Sequence, residues 1–217
     1  MSTSTPTDQD CPIKGVPTLC PTDSPFNFKT GDMQIIVTYI GDRIIGTVSS
    51  HSMAQASPVW KKFIHPPWEE IKESATPPKQ RTIDCSEDDG YVLLILLNIA
   101  HLKFDSLPTT ALTTRNLFFL AILVDQYQCI DLVRPWLDTW LSDEKELIRY
   151  GAERWLFIAW VFGREKVFEE ASTQLVRRAT TLEGKLYNSD TSMHFPHPMP
   201  PGITGQFPLS LVFVLHC

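Results

Sequence analysis

No two cysteines stand at Cys-x-x-Cys spacing, and the five present, at 11, 20, 85, 129 and 217, make an odd count. That argues against a secreted disulfide framework and suits reduced thiols inside a cell, in cytoplasm or nucleus. No run approaches the ~20 apolar residues that cross a bilayer. Tyr91–Leu97 and Leu117–Val124 are far shorter, so no membrane association is expected. The N-terminal stretch MSTSTPTDQDCPIKG lacks the apolar centre of a signal peptide. Positive charge is scarce too. A net charge of -6 argues against nucleic-acid binding, which needs a basic surface to neutralise phosphates. The adjacent pair Arg177 and Arg178 reads as the solvated end of a helix, where the dipole favours cations. Catalytic signatures are missing as well: no Gly-x-Ser-x-Gly elbow, Gly-rich phosphate loop or dinucleotide fingerprint occurs. No enzyme, cofactor or small-molecule substrate is expected, and no solenoid period is present.

What the chain does contain is an ordinary globular composition, 43% hydrophobic and 20% charged over 217 residues. That fits one domain with an extension, or two small domains. Residues 1–26 are rich in Pro, Thr, Ser and Asp and read as a disordered leader. Order is expected from Phe28. Gln34–Ile40 and Arg43–Val48 are β-rich, and Gly41-Asp42 between them suits a tight hairpin turn. Small polar residues then give way to two short helices within Ser50–Ile64. Ser57 can cap the second, which opens on Pro58. Trp60, Phe63 and Ile64 recur at helical spacing and are expected to face the core.

Four prolines in HPPWEEIKESATPPKQ mark a loop, and Arg81–Cys85 reads as a third strand. Ser86 followed by Glu87, Asp88 and Asp89 predicts a cap with acids in the first turn of a helix running to about His101. That helix is apolar all round and belongs in the middle of the domain. His101 reads as a partner of its C-terminal dipole. Leu107-Pro108 breaks the chain before Thr113 or Thr114 caps a helix over Arg115–Tyr127. Pro135 conflicts with a continuous helix across Val133–Leu141, and a fresh start capped by Asp131 removes the conflict. Asp143–Thr180 is helical in pattern. One stripe holds Trp155, Ile158, Ala159 and Phe162, Gly163 ends it, and a second holds Phe168, Ala171 and Leu175.

Residues with chemical potential have plainer readings. Cys85 and Cys129 lie among core-forming neighbours and read as buried thiols. His194 and His197 are spaced His-x-x-His, but flanking prolines preclude a helical pair, so no metal site is expected. His51 reads as solvent-facing or capping. Acid pairs such as Glu169/Glu170 read as solvated helix faces.

Several segments resemble the BTB/POZ family, particularly its fungal members. GDMQIIV is similar to the family's opening strand with its leading acid, Asp32, and SSHSMAQASPVWKKF to the first helical pair. DCSEDDGYVLLILLNIAHLKFDSLP is similar to the strand, acidic cap and buried helix that follow. LAILVDQYQCIDLVRPWLDTWL resembles the next helix and its successor, and ERWLFIAWVFGREKVFEEASTQLV the helical extension of fungal members. The likeness covers about Phe28 to Thr180.

The resemblance implies an α+β fold of BTB/POZ type: a small three-stranded sheet flanked by helices over 27–142, then an all-helical extension over 143–182. Residues 183–217 are left as a Pro/Gly-rich tail of uncertain order. It also implies a non-catalytic protein-interaction module, foremost an adaptor for a cullin-type ubiquitin ligase. The alternative is BTB-type homo-oligomerisation or a transcription-associated scaffold. The implied partner is a protein, either a cullin scaffold or a second copy. The apolar-x-Glu pattern of cullin-binding members falls on Trp68-Glu69-Glu70, making Trp68 and Glu70 the expected partner-binding residues. The basic residue of the co-repressor groove is missing. Ser49 and Ser50 stand where family members carry His and a basic residue.

Overall fold

The computed structural model describes residues 24–66, 81–144, 152–182, 185–188 and 198–201. Two antiparallel strands open the fold, β1 (Met33–Tyr39) and β2 (Asp42–Val48), in register from Met33 opposite Val48 to Tyr39 opposite Asp42. The turn is therefore Ile40–Gly41, one residue earlier than the expected Gly41-Asp42. Both turn residues have positive φ, 53° and 88°, as the right-handed twist of a two-residue hairpin requires. Gly41 accepts that freely, whereas Ile40 does so at a cost, because its branched Cβ crowds the backbone.

Two seven-residue helices follow, α1 (Ser50–Ala56) and α2 (Pro58–Ile64). Ser57 Oγ accepts from the Val59 and Trp60 amides and donates to the Tyr127 carbonyl at 2.6 Å. One hydroxyl thus caps α2 and ties it to a distant helix end. Trp60 and Ile64 are buried, but Phe63 is 59% exposed. The expectation that Phe63 anchors the core is overturned. Successive positions turn by about 100°, so Phe63 and Ile64 fall on opposite sides of Trp60, and the core takes only the Ile64 side.

β3 (Thr82–Cys85) lies parallel to β1, giving the order β2-β1-β3. Its far end leads into α3 (Gly90–Ala100), capped by Asp89, whose carboxylate accepts from the Val92 amide. The cap is not Ser86, whose amide instead donates to Asp84 Oδ1 at 3.0 Å. That Asx turn competes with helix initiation and delays it. α3 buries eight of its eleven residues and forms the centre of the fold, as its unbroken apolarity implies.

α4 (Thr114–Tyr127), capped by Thr113, packs on α3. Beyond it the chain breaks into α5 (Ile130–Val133), a 3₁₀ turn at Arg134–Trp136, and α6 (Leu137–Trp140). Pro135 sits in the 3₁₀ turn, where its missing amide does least harm. Asp131 does not cap α5; it pairs with Arg134 at 2.9 Å.

α7 (Ala152–Val161) and α8 (Glu165–Arg178) form an antiparallel pair, and Gly163 between them has φ 66°. Val167, Ala171 and Leu175 bury one side of α8, with Phe168 only partly covered. α7 packs on α4, where Phe118 meets Phe157 edge-on at 5.9 Å. One buried cluster runs from Phe26 to Leu175, joining the extension to the sheet.

Two features differ from the expected boundaries. Phe26, assigned to the leader, is fully buried, and its carbonyl accepts from the Thr47 amide at 3.1 Å. A Cβ at Gly46 would fall 2.5 Å from that of Phe26, so the approach depends on glycine. At the other end, β4 (Ala179–Leu182) pairs with β5 (Lys185–Asn188), an antiparallel ribbon crossing residue 182. The helical pattern expected to Thr180 stops at Arg178.

Candidate functional site

Trp68 and Glu70 lie outside the described residues. The residues on either side of 67–80 are described. Arg81, just before β3, donates to the Ile64 carbonyl at the end of α2 over 2.7 Å. The end of one element is thereby fixed beside the start of the next.

A second region forms where β1, α1 and α3 meet. Asp32 accepts two bonds from Ser50, from its amide and its hydroxyl, both 2.6 Å. The Ser50 hydroxyl first, then the amide, hold the Asp32 carboxyl below its ordinary range. The position where the family pattern has a basic partner is thus filled by a neutral donor. Ser49 caps α1 by accepting from the Ser52 amide at 3.2 Å. Its own amide donates to His101 Nε2 at 2.9 Å, while His101 Nδ1 lies 2.8 Å from the Leu97 carbonyl.

An imidazole that accepts on one nitrogen and donates on the other is the neutral tautomer with the proton on Nδ1. Burial lowers its pKa, in line with that assignment. His101 does not act as a cation on the helix dipole. It is a neutral strap between α3 and α1, with Phe28 stacked on its ring at 3.9 Å. Lys103 Nζ sits 4.2 Å from the Phe28 ring centre. His51 is exposed, and Ser49 supplies the cap instead.

Beside this strap lies an open cleft of about 510 Å³ between α1 and the end of α3, reached by His51, Gln55, Leu102 and Leu132. Leu102 is 75% exposed at φ 59°. The Leu102 and Lys103 amides donate to the Ile99 and Asn98 carbonyls at 3.0 and 2.8 Å. That is the helix-ending loop in which glycine normally occupies the left-handed residue. Phe104, also exposed, lies 5.6 Å from the Trp136 ring. Together these side chains leave apolar surface facing solvent.

A polar cluster of Cys85, Asp88, Gln126 and Tyr127 lies behind β3. Tyr127 donates its hydroxyl to Asp88 Oδ2 and lies 3.8 Å from Cys85 Sγ, and Gln126 approaches Asp88 Oδ1 at 3.4 Å. Burial raises the Asp88 carboxyl and the Tyr127 phenol and pushes the Cys85 thiol up to about 12. Cys129 is likewise pushed up to about 12 by burial. Both thiols are protonated at neutral pH, and a protonated thiol is a poor nucleophile and a poor metal ligand. Among the described residues no group of three His, Cys, Asp or Glu side chains could hold a metal ion. None of their helices is long and apolar enough to cross a membrane.

The acid expected as a first-turn charge, Asp89, is a cap that also pairs with Arg115 at 2.9 Å. The family pattern set Asp32 against the positions of Ser49 and Ser50, but the sequence left His101 apart and gave no sign of the bonds that join all four. The available signal was a lone histidine at the end of an apolar helix and a run of hydroxyls at a helix start. No protein-family model matches the chain, and no curated protein matches it.

Proposed function

We propose that the chain is a non-catalytic protein-interaction module of the BTB/POZ type, acting foremost as an adaptor for a cullin-type ubiquitin ligase. The observation that carries this reading is the order of the elements. A hairpin is followed by two short helices, a third strand parallel to β1, a buried central helix and a second helix packed on it. That is the order the family resemblance implies. The exposed Leu102 and Phe104 support docking over chemistry, since apolar side chains left in water favour being covered. Trp68 and Glu70 are the residues assigned to cullin contact, with Trp68 as the anchoring side chain. The Asp32–Ser50 bonds count against the co-repressor form, because that carboxylate already has its donors.

Size-exclusion chromatography of the full chain, alone and with a purified cullin N-terminal domain, tests the reading. Co-elution with the cullin domain is expected. A chain that elutes as a dimer and ignores the cullin supports the self-associating form instead. A monomer that binds neither overturns both.

A further inference from the structure

The cleft beside Leu102 has α1 as one wall and the end of α3 as the other. An imidazole bridges the two walls. Ser49, the cap of α1, donates its amide to His101 Nε2 at 2.9 Å, and His101 Nδ1 is committed to the Leu97 carbonyl of α3. Ser49 is only 8% exposed, so water does not readily replace its acceptor. Phe28, stacked 3.9 Å from the ring, holds the imidazole plane.

From this geometry we propose that His101 is an acid-sensitive latch: a proton added at Nε2 unfastens the foot of α1 from α3 and widens the cleft between them, while the rest of the fold stays closed. The neutral ring presents a lone pair to Ser49, and the charged ring presents an N–H instead. Two donors then face each other. The ring has no second acceptor to offer, because its other nitrogen is already a donor. The foot of α1 has to move for the stranded donors to find partners.

α1 is the part that yields. It has seven residues, of which Met53 alone is buried, whereas α3 buries eight of eleven. Local opening favours the elements with least buried apolar surface. Asp32 holds the next residue, Ser50, by two bonds of 2.6 Å, which keep its carboxyl below the ordinary range. That pair therefore stays intact in mild acid and serves as the pivot.

The surroundings set the sign. Burial disfavours the charged ring and Lys103 adds to that, against the Leu97 carbonyl, which favours it. His51 of α1 lines the same cleft, Lys29 and Asp105 are exposed, and Asp131 of α5 is paired with Arg134. In the unlatched state the imidazole meets water and titrates near its ordinary value of ~6.5. The latch is therefore shut above that pH and loosens below it, by up to about tenfold between pH 7.5 and 5.5.

Amide hydrogen exchange of the full chain, read by NMR at pH 7.5 and 5.5 and divided by the intrinsic rates, tests the latch. Ser49 is expected to be less protected than Ile95 and Leu96 of α3 by about tenfold or more, the mark of local opening. Its protection should fall severalfold, up to about tenfold, at the lower pH. His101→Gln offers an acceptor that does not titrate, so its Ser49 amide should be equally protected at both pH values. His51→Gln should respond as the wild type does. The imidazole nitrogen shifts of the wild type need no variant: the proton gained at Nε2 should follow the same pH curve as the Ser49 loss. Wild-type Ser49 protection that is equal at both pH values overturns the proposal, as does a response that persists in His101→Gln. Protection equal to that of Ile95 and Leu96 overturns it too, since exchange then requires the whole domain to unfold.

Discussion

His101 accepts the Ser49 backbone amide through Nε2 at 2.9 Å, across 52 residues of sequence, while its other nitrogen is bonded within its own helix. A proton added to Nε2 would set donor against donor at that contact. The native state resists that protonation, because burial first and Lys103 next lower the imidazole pKa. The unfolded chain protonates at its ordinary value near ~6.5. Below that pH the unfolded state binds more protons, so stability falls as pH drops from about 6.5 toward the lowered native value. Urea melts at pH 7.5 and 5.5 check this. The decline should be largely absent in His101→Gln. Asp32, also lowered, acts only in the more acidic carboxylate range. The raised Asp88 has the opposite sign, gaining native-state protons as pH falls.

Trp60 and Phe63 stand three residues apart on α2 and should behave oppositely. Trp60 is fully buried against Tyr127, with ring centres 4.8 Å apart. Trp60→Ala is expected to cost ~3–5 kcal/mol, and Phe63→Ala less than ~0.5 kcal/mol. Chemical denaturation of both variants gives the comparison. Equal costs would mean that α2 is rotated from its described orientation.

Ile40 and Leu102 both hold left-handed backbone while exposing 84% and 75% of their surface. Glycine at either position relieves the strain and loses little packing. Ile40→Gly and Leu102→Gly should each raise stability by about 0.5–1 kcal/mol, read as a higher melting temperature. A residue kept in strain at the surface points to use, so Leu102→Gly should also weaken partner binding.

Tyr127 holds the half-buried Asp88 from α4. Removing its hydroxyl leaves the carboxyl short of its principal donor. Tyr127→Phe is expected to destabilise by ~1–3 kcal/mol. In the Asp88→Asn background the same change should cost less, since no carboxylate is stranded. Thermal melts of the four proteins complete the cycle.

What was legible in the sequence was local. Ser57 before Pro58 and Thr113 before an apolar run announce their helices, because a cap needs only neighbours in the chain. The unbroken apolarity of Tyr91–Leu97 likewise foretold the central helix. Readings failed where two local solutions compete. Ser86 and Asp89 can each start α3, and the Asx turn at Asp84 decides between them. The turn at Ile40–Gly41 was hidden because the sequence favours Gly41 as its first member. The side of α2 that faces solvent depends on β-strand and helix neighbours far along the chain. The His101–Ser49 strap and the Ser57–Tyr127 tie span 52 and 70 residues. No periodicity encodes such pairings.

The most direct test of the account is an equilibrium titration of the full chain with a cullin N-terminal domain, comparing wild type with Trp68→Ala. An aromatic anchor seated in a partner's pocket carries ~2 kcal/mol or more, equivalent to over tenfold in Kd. The account predicts saturable binding by wild type, weakened by at least that factor in the variant, with the Glu70→Ala change reducing it further. Wild-type binding that the double variant leaves unchanged would contradict the assigned site, and no binding by wild type would contradict the adaptor function.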